Sequence, residues 1–430
     1  MVDRPKAKTN AGLRKDALAV LRENRHGSYT VPALGLYPYQ WCWDTGPIVL
    51  GWASVGEWDQ AWGELDKLLS AQWPSGMMPH IVFWEVSDDY FPGPDVWATG
   101  RDPATTGLTQ PPLPVSAAAR LFTADPDRAR AREQLGLLWP RLVAWLAWIE
   151  RARTGPHLAA VVVHPWESGM DNSPAWDDPL AATPETTHEH LERRDTATVS
   201  AKQRPSTREY RHYLGIVAAL RKAGWDTERQ VADSPFAVED PAFTAITARA
   251  AADLADVADA AGQDATDVAR IATQARAGLA GLWDEELGWY RAFDVRAGKP
   301  TGPPTASGLV ALYGGIDGAH AQRMVDRLDG WSDTVKFSVA SSDPTATGFD
   351  PIRYWRGPVW VLVNWLVAGG LAQAGFADKA ESLRVETRAL VEQGFTEYYD
   401  PRDGTGIGGQ GFSWSAALTL DWLTKALPTR

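Results

Sequence analysis

The feature that most constrains the fold of this 430-residue chain is a long succession of helical apolar patterns. Apolar side chains recur roughly three or four residues apart, the spacing that places them on one face of an α-helix. The patterns cover about 13–21, 44–55, 57–71, 115–122, 138–149, 246–257, 268–282, 306–314, 319–329, 357–373, 378–393 and 413–427. No alternating strand pattern of useful length competes with them. The sequence therefore predicts an all-α fold in which helix pairs close into a ring with a pocket at one end. A solenoid is the alternative, but no repeat of fixed period supports it.

The composition argues against several classes of partner. The formal net charge is −12, whereas binding to nucleic acid or to an anionic membrane normally requires a basic face. Cys42 is the only cysteine, so neither an intrachain disulfide nor a cysteine-based zinc site can form. The polar N-terminus predicts no signal peptide, and no stretch approaches the ~20 apolar residues of a membrane span. We expect a cytoplasmic enzyme that binds neither nucleic acid nor membrane, and a homo-oligomer remains possible.

One stretch has the composition of a ligand-binding turn, Pro165–Trp176, with the sequence PWESGMDNSPAW. Gly169 and Pro174 favour a tight, non-helical backbone around Asp171, and tryptophans flank this acid on both sides. Indole walls desolvate a carboxyl group and raise its pKa, as a proton donor near neutral pH requires. The alternative is that Asp171 only caps the helix that follows.

The segment that follows this turn interrupts the helical succession. Residues 177–240 carry the charged run Thr187–Asp195, several Thr and Pro residues, and only one short helical pattern. Because the segment begins directly after the turn, we interpret it as a cap over the pocket; a mobile surface loop is the alternative. The chain then divides into a first helical part, 1–176, the cap, 177–240, and the remaining helical part, 241–430.

Aromatic side chains gather at two further places. The chain holds 22 tryptophans, which suggests a surface that stacks on flat rings or sugar faces in addition to core packing. The first place is Tyr37–Asp44, where aromatic rings precede an acid that is also a plausible helix N-cap. The second is Arg353–Trp360, where a Gly-Pro pair indicates a helix start. Trp355 and Arg356 would project into whatever lies at the end of that helix.

A second isolated carboxylate, Glu397, lies among aromatic residues in the run Phe395–Ser415. Hydrolysis of a glycosidic bond needs two carboxyl groups, one to protonate the leaving oxygen and an ionised partner for water or the anomeric carbon. Asp171 and Glu397 are the two acids whose neighbours best suit these tasks. Surface placement is the alternative for Glu397. This chemistry requires no metal ion or organic cofactor, and we expect none.

At these places the sequence resembles glycoside hydrolase family 63, and within it the bacterial mannosylglycerate and glucosylglycerate hydrolases. Four segments carry the resemblance, in the family's order: Tyr37–Asp44, Trp166–Ser173, Tyr354–Pro358 and Glu397–Pro401. The resemblance implies an (α/α)6 barrel with an inserted cap, and hydrolysis of an α-glycosidic bond with inversion. It implies that Asp171 is the general acid and Glu397 the general base. Inversion would place their carboxyl groups about 6.5–9.5 Å apart.

The resemblance also implies which residues contact the substrate. Those expected at or beside the sugar are Tyr37, Trp41, Trp43, Asp44, Trp166, Gly169, Tyr354, Trp355, Arg356, Gly357, Trp360 and Gln410. Those expected at a glycerate aglycone are Tyr90, Gln110, Arg204, Arg208, Tyr210 and Tyr213. An arginine would pair with the aglycone carboxylate in a bidentate manner and so select acidic substrates. The sequence does not decide which arginine does so.

Two other functions remain open at this level. One is an α-glucosidase or trehalase-like hydrolase of a neutral disaccharide, which a cap pocket without a cationic side chain would favour. The other is a catalytically inactive sugar-binding protein. The sequence also leaves open whether the hexose is glucose or mannose.

Overall fold

Seventeen α-helices follow one another in a computed structural model that describes residues 8–85, 87, 90–186 and 193–425. Their bounds are α1 Asn10–Glu23, α2 Cys42–Ala53, α3 Trp58–Leu69, α4 Pro94–Trp97, α5 Leu113–Ala124, α6 Arg128–Arg153, α7 Asp177–Ala181, α8 Asp195–Thr198, α9 Thr207–Lys222, α10 Gln230–Asp233, α11 Pro241–Ala261, α12 Thr266–Ala280, α13 Ala306–Val310, α14 Gly318–Trp331, α15 Val361–Gln373, α16 Ala377–Val391 and α17 Ser413–Leu418. Short 3₁₀ turns lie at Pro165–Ser168, Pro174–Trp176, Ala201–Gln203, Ala311–Gly314 and Tyr354–Arg356, and a π-helical turn at Thr419–Leu423. The protein is therefore mainly helical, as the sequence predicts.

Six helical elements contact one another in a closed cycle. α2 packs against α5, α5 against α11, and α11 against the helical segment 306–314. That segment packs against α15, α15 against α17, and α17 again against α2. Other helices pack on members of the cycle: α3 on α2, α6 on α5, α12 on α11, α16 on α15 and α1 on α17. Helices that are adjacent in the chain are thus often adjacent in space.

The helices of the cycle are more completely buried than those packed on them. All six residues of α17, eleven of the twelve of α2 and nine of the thirteen of α15 are buried. The outer helix α3 instead buries one stripe that includes Trp62, Leu65 and Leu69. A helix that is buried all round needs neighbours on every side, whereas an amphipathic helix needs only one. In the described ranges, no helix is both long enough and apolar enough to cross a membrane.

Short antiparallel strands occupy several of the connections. They are β1 Arg25–His26, β2 Tyr29–Thr30, β3 Gln40–Trp41, β4 Ile81–Phe83, β5 Ala104–Thr105, β6 Val161–Val162, β7 Val238–Glu239, β8 Trp283–Asp284, β9 Trp289–Tyr290, β10 Ala292–Asp294, β11 Lys299–Thr301, β12 Thr396–Tyr399 and β13 Gly406–Gln410. They form sheets in the orders β11-β10-β7-β6 and β3-β4-β5, and the pairs β1-β2, β8-β9 and β12-β13. The sequence analysis predicted no strands, because alternation cannot be recognised over so few residues.

The 177–240 segment lies beside the turn and hairpin that carry the two predicted acids. It contains α7 to α10 and β7, while 187–192, most of its charged run, lie outside the described residues. Its Tyr213 hydroxyl donates to the Asp171 carbonyl (2.8 Å). The Tyr398 hydroxyl of β12 donates to the Gln203 carbonyl in the segment (2.7 Å). The segment therefore contacts two distant stretches of the chain at once.

Two local predictions about helix starts are wrong. Asp44 is not an N-cap, because the helix begins at Cys42 directly after β3 and places Asp44 in its first turn. The helix predicted from residue 357 begins only at Val361. The backbone before it is extended, since Val359 exchanges hydrogen bonds with Tyr399 (2.8 and 2.9 Å).

Two adjacent glycines of α15 allow a direct test of packing within the cycle. A Cβ atom at Gly370 would lie 2.4 Å from the Leu312 carbonyl carbon, whereas one at the exposed Gly369 meets nothing closer than 3.6 Å. We expect Gly370→Ala to lower the free energy of unfolding by about 1–3 kcal/mol through overpacking. The matched Gly369→Ala should raise it by about 0.5–1 kcal/mol, because alanine favours a helix. Denaturant unfolding of both variants measures this, and equal effects would contradict the close approach.

Candidate active site

The turn that carries Asp171 is fixed by close packing and by backbone hydrogen bonds. Gly169 has φ of 71°, and a Cβ atom there would lie 2.5 Å from the Trp43 indole, so a larger residue cannot be accommodated without displacement. The Trp176 indole N–H donates to the Met170 carbonyl (2.8 Å). Ser173, not Asp171, caps the 3₁₀ turn that follows, accepting from the Ala175 amide. Capping therefore does not explain Asp171.

Glu397 lies on β12, where its side chain is almost fully buried and accepts four hydrogen bonds. Oε1 accepts from the Tyr37 hydroxyl (2.8 Å) and from Arg204 Nη1 (3.1 Å). Oε2 accepts from Arg204 Nη2 (2.9 Å) and from the Gly409 amide of β13 (2.9 Å). The alternative that Glu397 is a surface residue is therefore wrong.

Asp171 and Glu397, far apart in the sequence, line the same cavity. This first cavity encloses about 520 Å³, including its open mouth. Its walls are predominantly aromatic, and its lining residues are Pro32, Tyr37, Trp41, Trp43, Asp44, His80, Tyr90, Gln110, Trp166, Gly169, Asp171, Tyr354, Trp355, Trp360, Glu397, Phe412 and Trp414. Many of these residues precede or begin α2, α5, α15 and α17, so the cavity lies at the N-terminal ends of helices of the cycle.

A second cavity of about 470 Å³ adjoins the first. The two share five lining residues: Tyr37, Tyr90, Trp166, Asp171 and Tyr354. The second cavity adds Leu36, Phe91, Asp195, Arg204, Pro205 and Tyr210. Asp171 therefore lies at the junction of the aromatic first cavity and the second cavity, which Arg204 lines with a cationic side chain. Within the ranges the structure describes, no group of three or more His, Cys, Asp or Glu side chains could hold a metal ion.

Burial raises the pKa of two acids in the first cavity, Asp171 and Asp44. Desolvation raises the pKa of Asp171, Arg204 opposes this rise and nearby Glu397 adds to it, so that the resulting pKa is about 7. Desolvation also raises the pKa of the buried Asp44 carboxyl well above its usual range. Glu397, by contrast, accepts four hydrogen bonds from Tyr37, Arg204 and Gly409, which suits a carboxylate. The cavity thus combines a carboxyl that can donate a proton with a carboxylate held by hydrogen-bond donors.

Two predicted arginines point away from both cavities. The Arg208 side chain is 74% exposed and pairs with Glu185, because α9 turns it towards solvent. Arg356 makes two hydrogen bonds to Asp177 (2.8 and 2.7 Å) behind the cavity wall. Of the two arginines considered for an acidic aglycone, only Arg204 lies at a cavity.

Three other predicted residues contribute indirectly or lie apart. Tyr213 is buried and supports the Asp171 backbone without lining either cavity. Gly357 allows close packing, since a Cβ atom there would lie 2.4 Å from the Asp350 carbonyl oxygen. Gln410 is exposed at the end of β13. None of these three residues lines either cavity.

Sequence reasoning missed several lining residues. His80 is the most informative: its Nδ1 bonds to Thr106 Oγ1 (2.6 Å), and its ring stacks 6.3 Å from the Trp166 ring. Burial lowers its pKa well below the usual range, so His80 is neutral. No motif surrounds it in the sequence. The others missed are Pro32, Phe412 and Trp414 in the first cavity, and Leu36, Phe91, Asp195 and Pro205 in the second.

A buried ion pair supports the cavity wall from behind. Glu167, next to Trp166, accepts from Arg153 (2.8 Å), from the Thr109 amide (3.1 Å) and from the Val163 amide (2.7 Å). Both side chains of the ion pair are fully buried. Glu167 therefore connects the turn that carries Asp171 to α6 and to the loop that carries Gln110.

Comparison with known proteins gives consistent matches over nearly the whole chain. Residues 37–415 match the family model described as the mannosylglycerate hydrolase MGH1-like glycoside hydrolase domain. The chain is 45% identical to mannosylglycerate hydrolase of Thermus thermophilus, covering 94% of this chain and 99% of that protein. It is 35% identical to glucosylglycerate hydrolase of Mycolicibacterium hassiacum, covering 96% and 98%.

A solved structure is similar in fold as well as in sequence. It is a family 63 mannosylglycerate hydrolase, also from Thermus thermophilus, in complex with Tris and D-glycerate. The two superpose with a TM-score of 0.92 at 46% identity, covering 95% of this chain and 99% of that one.

The buried pair behind the wall predicts a large effect of a small substitution. Glu167→Gln leaves the Arg153 charge buried without its counter-ion, which we expect to lower the free energy of unfolding by about 3–5 kcal/mol. The control is Asp66→Asn, which removes the exposed partner of the exposed Arg141 and should change the free energy of unfolding by less than about 0.5 kcal/mol. Denaturant unfolding of the two variants measures the difference. Equal values would show that the ion pair does not support the fold.

Proposed function

The chain belongs to the mannosylglycerate hydrolase MGH1-like glycoside hydrolase family, and we propose on this basis that it releases a hexose, with inversion, from glucosylglycerate or mannosylglycerate. The observation that carries the proposal is that Asp171 and Glu397 line one aromatic cavity. Family membership makes the protein a glycosidase. The roles of individual residues are our proposal.

In the proposed reaction, Asp171 donates its proton to the glycosidic oxygen as the C1–O bond breaks, and the leaving glycerate keeps the electron pair of that bond. A water molecule attacks C1 from the opposite face, and Glu397 accepts the proton that this water loses. The raised pKa of Asp171 suits the first task, since a group with a pKa of about 7 is about half protonated at neutral pH, whereas an ordinary aspartic acid is almost fully ionised there. The predicted carboxyl separation of about 6.5–9.5 Å remains part of this proposal.

The two cavities suggest two substrate subsites. The first cavity would hold the hexose, with indole rings against its C–H faces and Asp44 at its hydroxyl groups. The second would hold glycerate, because Arg204 can pair with its carboxylate and Tyr210 lines the same space. Asp171, shared by both, would then lie at the bond between sugar and aglycone. The presence of D-glycerate in the structure of a relative supports glycerate as the aglycone.

We propose that the six-membered helical cycle and the helices packed on it form an (α/α)6 barrel, as the closed pattern of contacts suggests. Residues 1–176 and 241–430 would build the barrel, and 177–240 would cap the cavities. A cytoplasmic location and a possible homo-oligomer stay predictions from the sequence.

The rival functions have less support. Hydrolysis of a neutral disaccharide would be favoured by an aglycone cavity without a cationic group, whereas Arg204 lines the second cavity. A catalytically inactive binding protein would not need one acid with a pKa near neutrality beside a well-paired carboxylate.

A hydrolysis panel tests the proposed substrate class. We expect turnover of glucosylglycerate or mannosylglycerate, and far slower turnover of trehalose and kojibiose, which lack a carboxylate for Arg204. NMR should detect the β-anomer of the hexose first, because water attacks opposite the α-bond. Preference for a neutral disaccharide would favour the first rival, and early appearance of the α-anomer would contradict inversion.

The proposed acid also predicts a pH dependence. Asp171 must be protonated to donate, so kcat/KM should fall as the pH rises through about 7. Asp171→Asn should lower kcat/KM by about 10²–10⁴-fold and remove this alkaline limb from what activity remains. Steady-state kinetics over a pH series measure both. A limb that persists unchanged in the variant would assign the titration to another group.

A further inference from the structure

Glu397 has no acceptor site left for a water molecule in this structure. A carboxylate presents about four lone-pair sites, two on each oxygen. Tyr37 and Arg204 occupy those of Oε1, and Arg204 and Gly409 occupy those of Oε2. A general base must accept a hydrogen bond from the water that it deprotonates. One of these four donors therefore has to leave before Glu397 can act.

Of the four donors, the two from Arg204 are the ones for which another carboxylate can compete, and they would leave together with the hydrogen bond that Arg204 Nη1 donates to the Tyr37 hydroxyl (2.8 Å). The Gly409 amide is held in the β12–β13 hairpin, and Tyr37 is also bonded to Tyr354 (3.3 Å). Arg204 reaches Glu397 on a long side chain from the separate 177–240 segment. Its Nε–H is buried and has no hydrogen-bond partner within the described part of the chain. A buried donor without a hydrogen-bond partner is unfavourable, so the ion pair with Glu397 does not satisfy every N–H group of the Arg204 guanidinium.

Arg204 also lines the second cavity, which Glu397 does not line. A carboxylate bound in that cavity would compete with Glu397 for the same guanidinium, since both can accept its N–H groups in pairs. A neutral aglycone offers no such competition. Arg204 would thus bind the carboxylate of an acidic aglycone, and it also donates hydrogen bonds to the proposed general base, Glu397.

We propose that Arg204 determines specificity through the rate of reaction as well as through binding: it holds Glu397 until a small carboxylate in the second cavity draws the guanidinium away and leaves Glu397 able to accept a proton from water. This inference rests on the proposed function and adds a consequence to it. Acidic and neutral aglycones should differ in kcat, and not only in KM.

The test uses a substrate that leaves the second cavity vacant, α-glucosyl or α-mannosyl fluoride. Water forms the new bond to C1, the C–F bond breaks, and fluoride departs with the electron pair without needing a proton. The water proton goes to Glu397, so the rate reports on the availability of the base. Free D-glycerate is then added as the probe, with glycerol as the uncharged control.

We expect D-glycerate to raise kcat for the fluoride saturably, by about fivefold or more, and glycerol to have no such effect. The activation should disappear in Arg204→Gln, which removes the competing charge. It should persist in Arg211→Gln, which changes an exposed arginine of the same 177–240 segment, on α9. Circular dichroism and the unfolding midpoint establish whether each variant is folded, and the wild-type measurement does not depend on any variant.

The other outcomes are distinguishable. If wild type hydrolyses the fluoride and the glycerate glycoside, but D-glycerate inhibits or leaves kcat unchanged, the inference is overturned and the proposed function stands. Activation that persists in Arg204→Gln also overturns the inference. If wild type hydrolyses neither compound, both the proposed function and the inference fail.

Discussion

The burial of several carboxyl groups at one end of the helical cycle constrains everything around them, because a buried charge without partners is strongly unfavourable. Glu167 and Glu397 are each matched by a buried arginine and by backbone N–H groups. Asp44 and Asp171 are accommodated differently, since desolvation raises their pKa and favours the neutral form. Two carboxyl groups of the same cavity, Asp171 and Glu397, are thus suited to opposite tasks, Asp171 to donating a proton and Glu397 to accepting one.

The helical cycle supplies the rigid frame on which these groups are placed. Two of its helices, α2 and α17, are buried on almost every side. The N-terminal ends of its helices and the connections before them carry the aromatic rings that line the first cavity. Close backbone approaches fix the relative positions, as at Gly169, where the Trp43 indole leaves no room for a side chain. Packing, and not only hydrogen bonding, therefore determines where the Asp171 carboxyl group lies.

The 177–240 segment contacts both acids of the proposed reaction and also lines the cavity proposed for the aglycone. It donates a hydrogen bond to the Asp171 backbone through Tyr213 and pairs with Glu397 through Arg204. It also contributes Arg204 and Tyr210 to the second cavity. A group that fills that cavity is consequently in contact with the same side chain that holds the base. In the proposed reaction, the charge of the aglycone therefore affects whether Glu397 is free to accept a proton from water.

The sequence by itself indicated the long helices and singled out Asp171 and Glu397, because helical periodicity and the composition around the two acids are local properties that a single segment reveals. The short helices α4, α7, α8 and α10 were missed, since four or five residues are too few to show a period. Short strands such as β12 were missed, since pairing over so few residues depends on a partner elsewhere in the chain. His80 was also missed, because nothing in its neighbours distinguishes a cavity wall from a core. The choice between Arg204 and Arg208 could be made only in the tertiary structure. The two arginines are four positions apart, yet one faces solvent and the other reaches a carboxylate 193 residues away. Which side chain meets which partner over such separations depends on how the whole chain packs, and no local pattern encodes it.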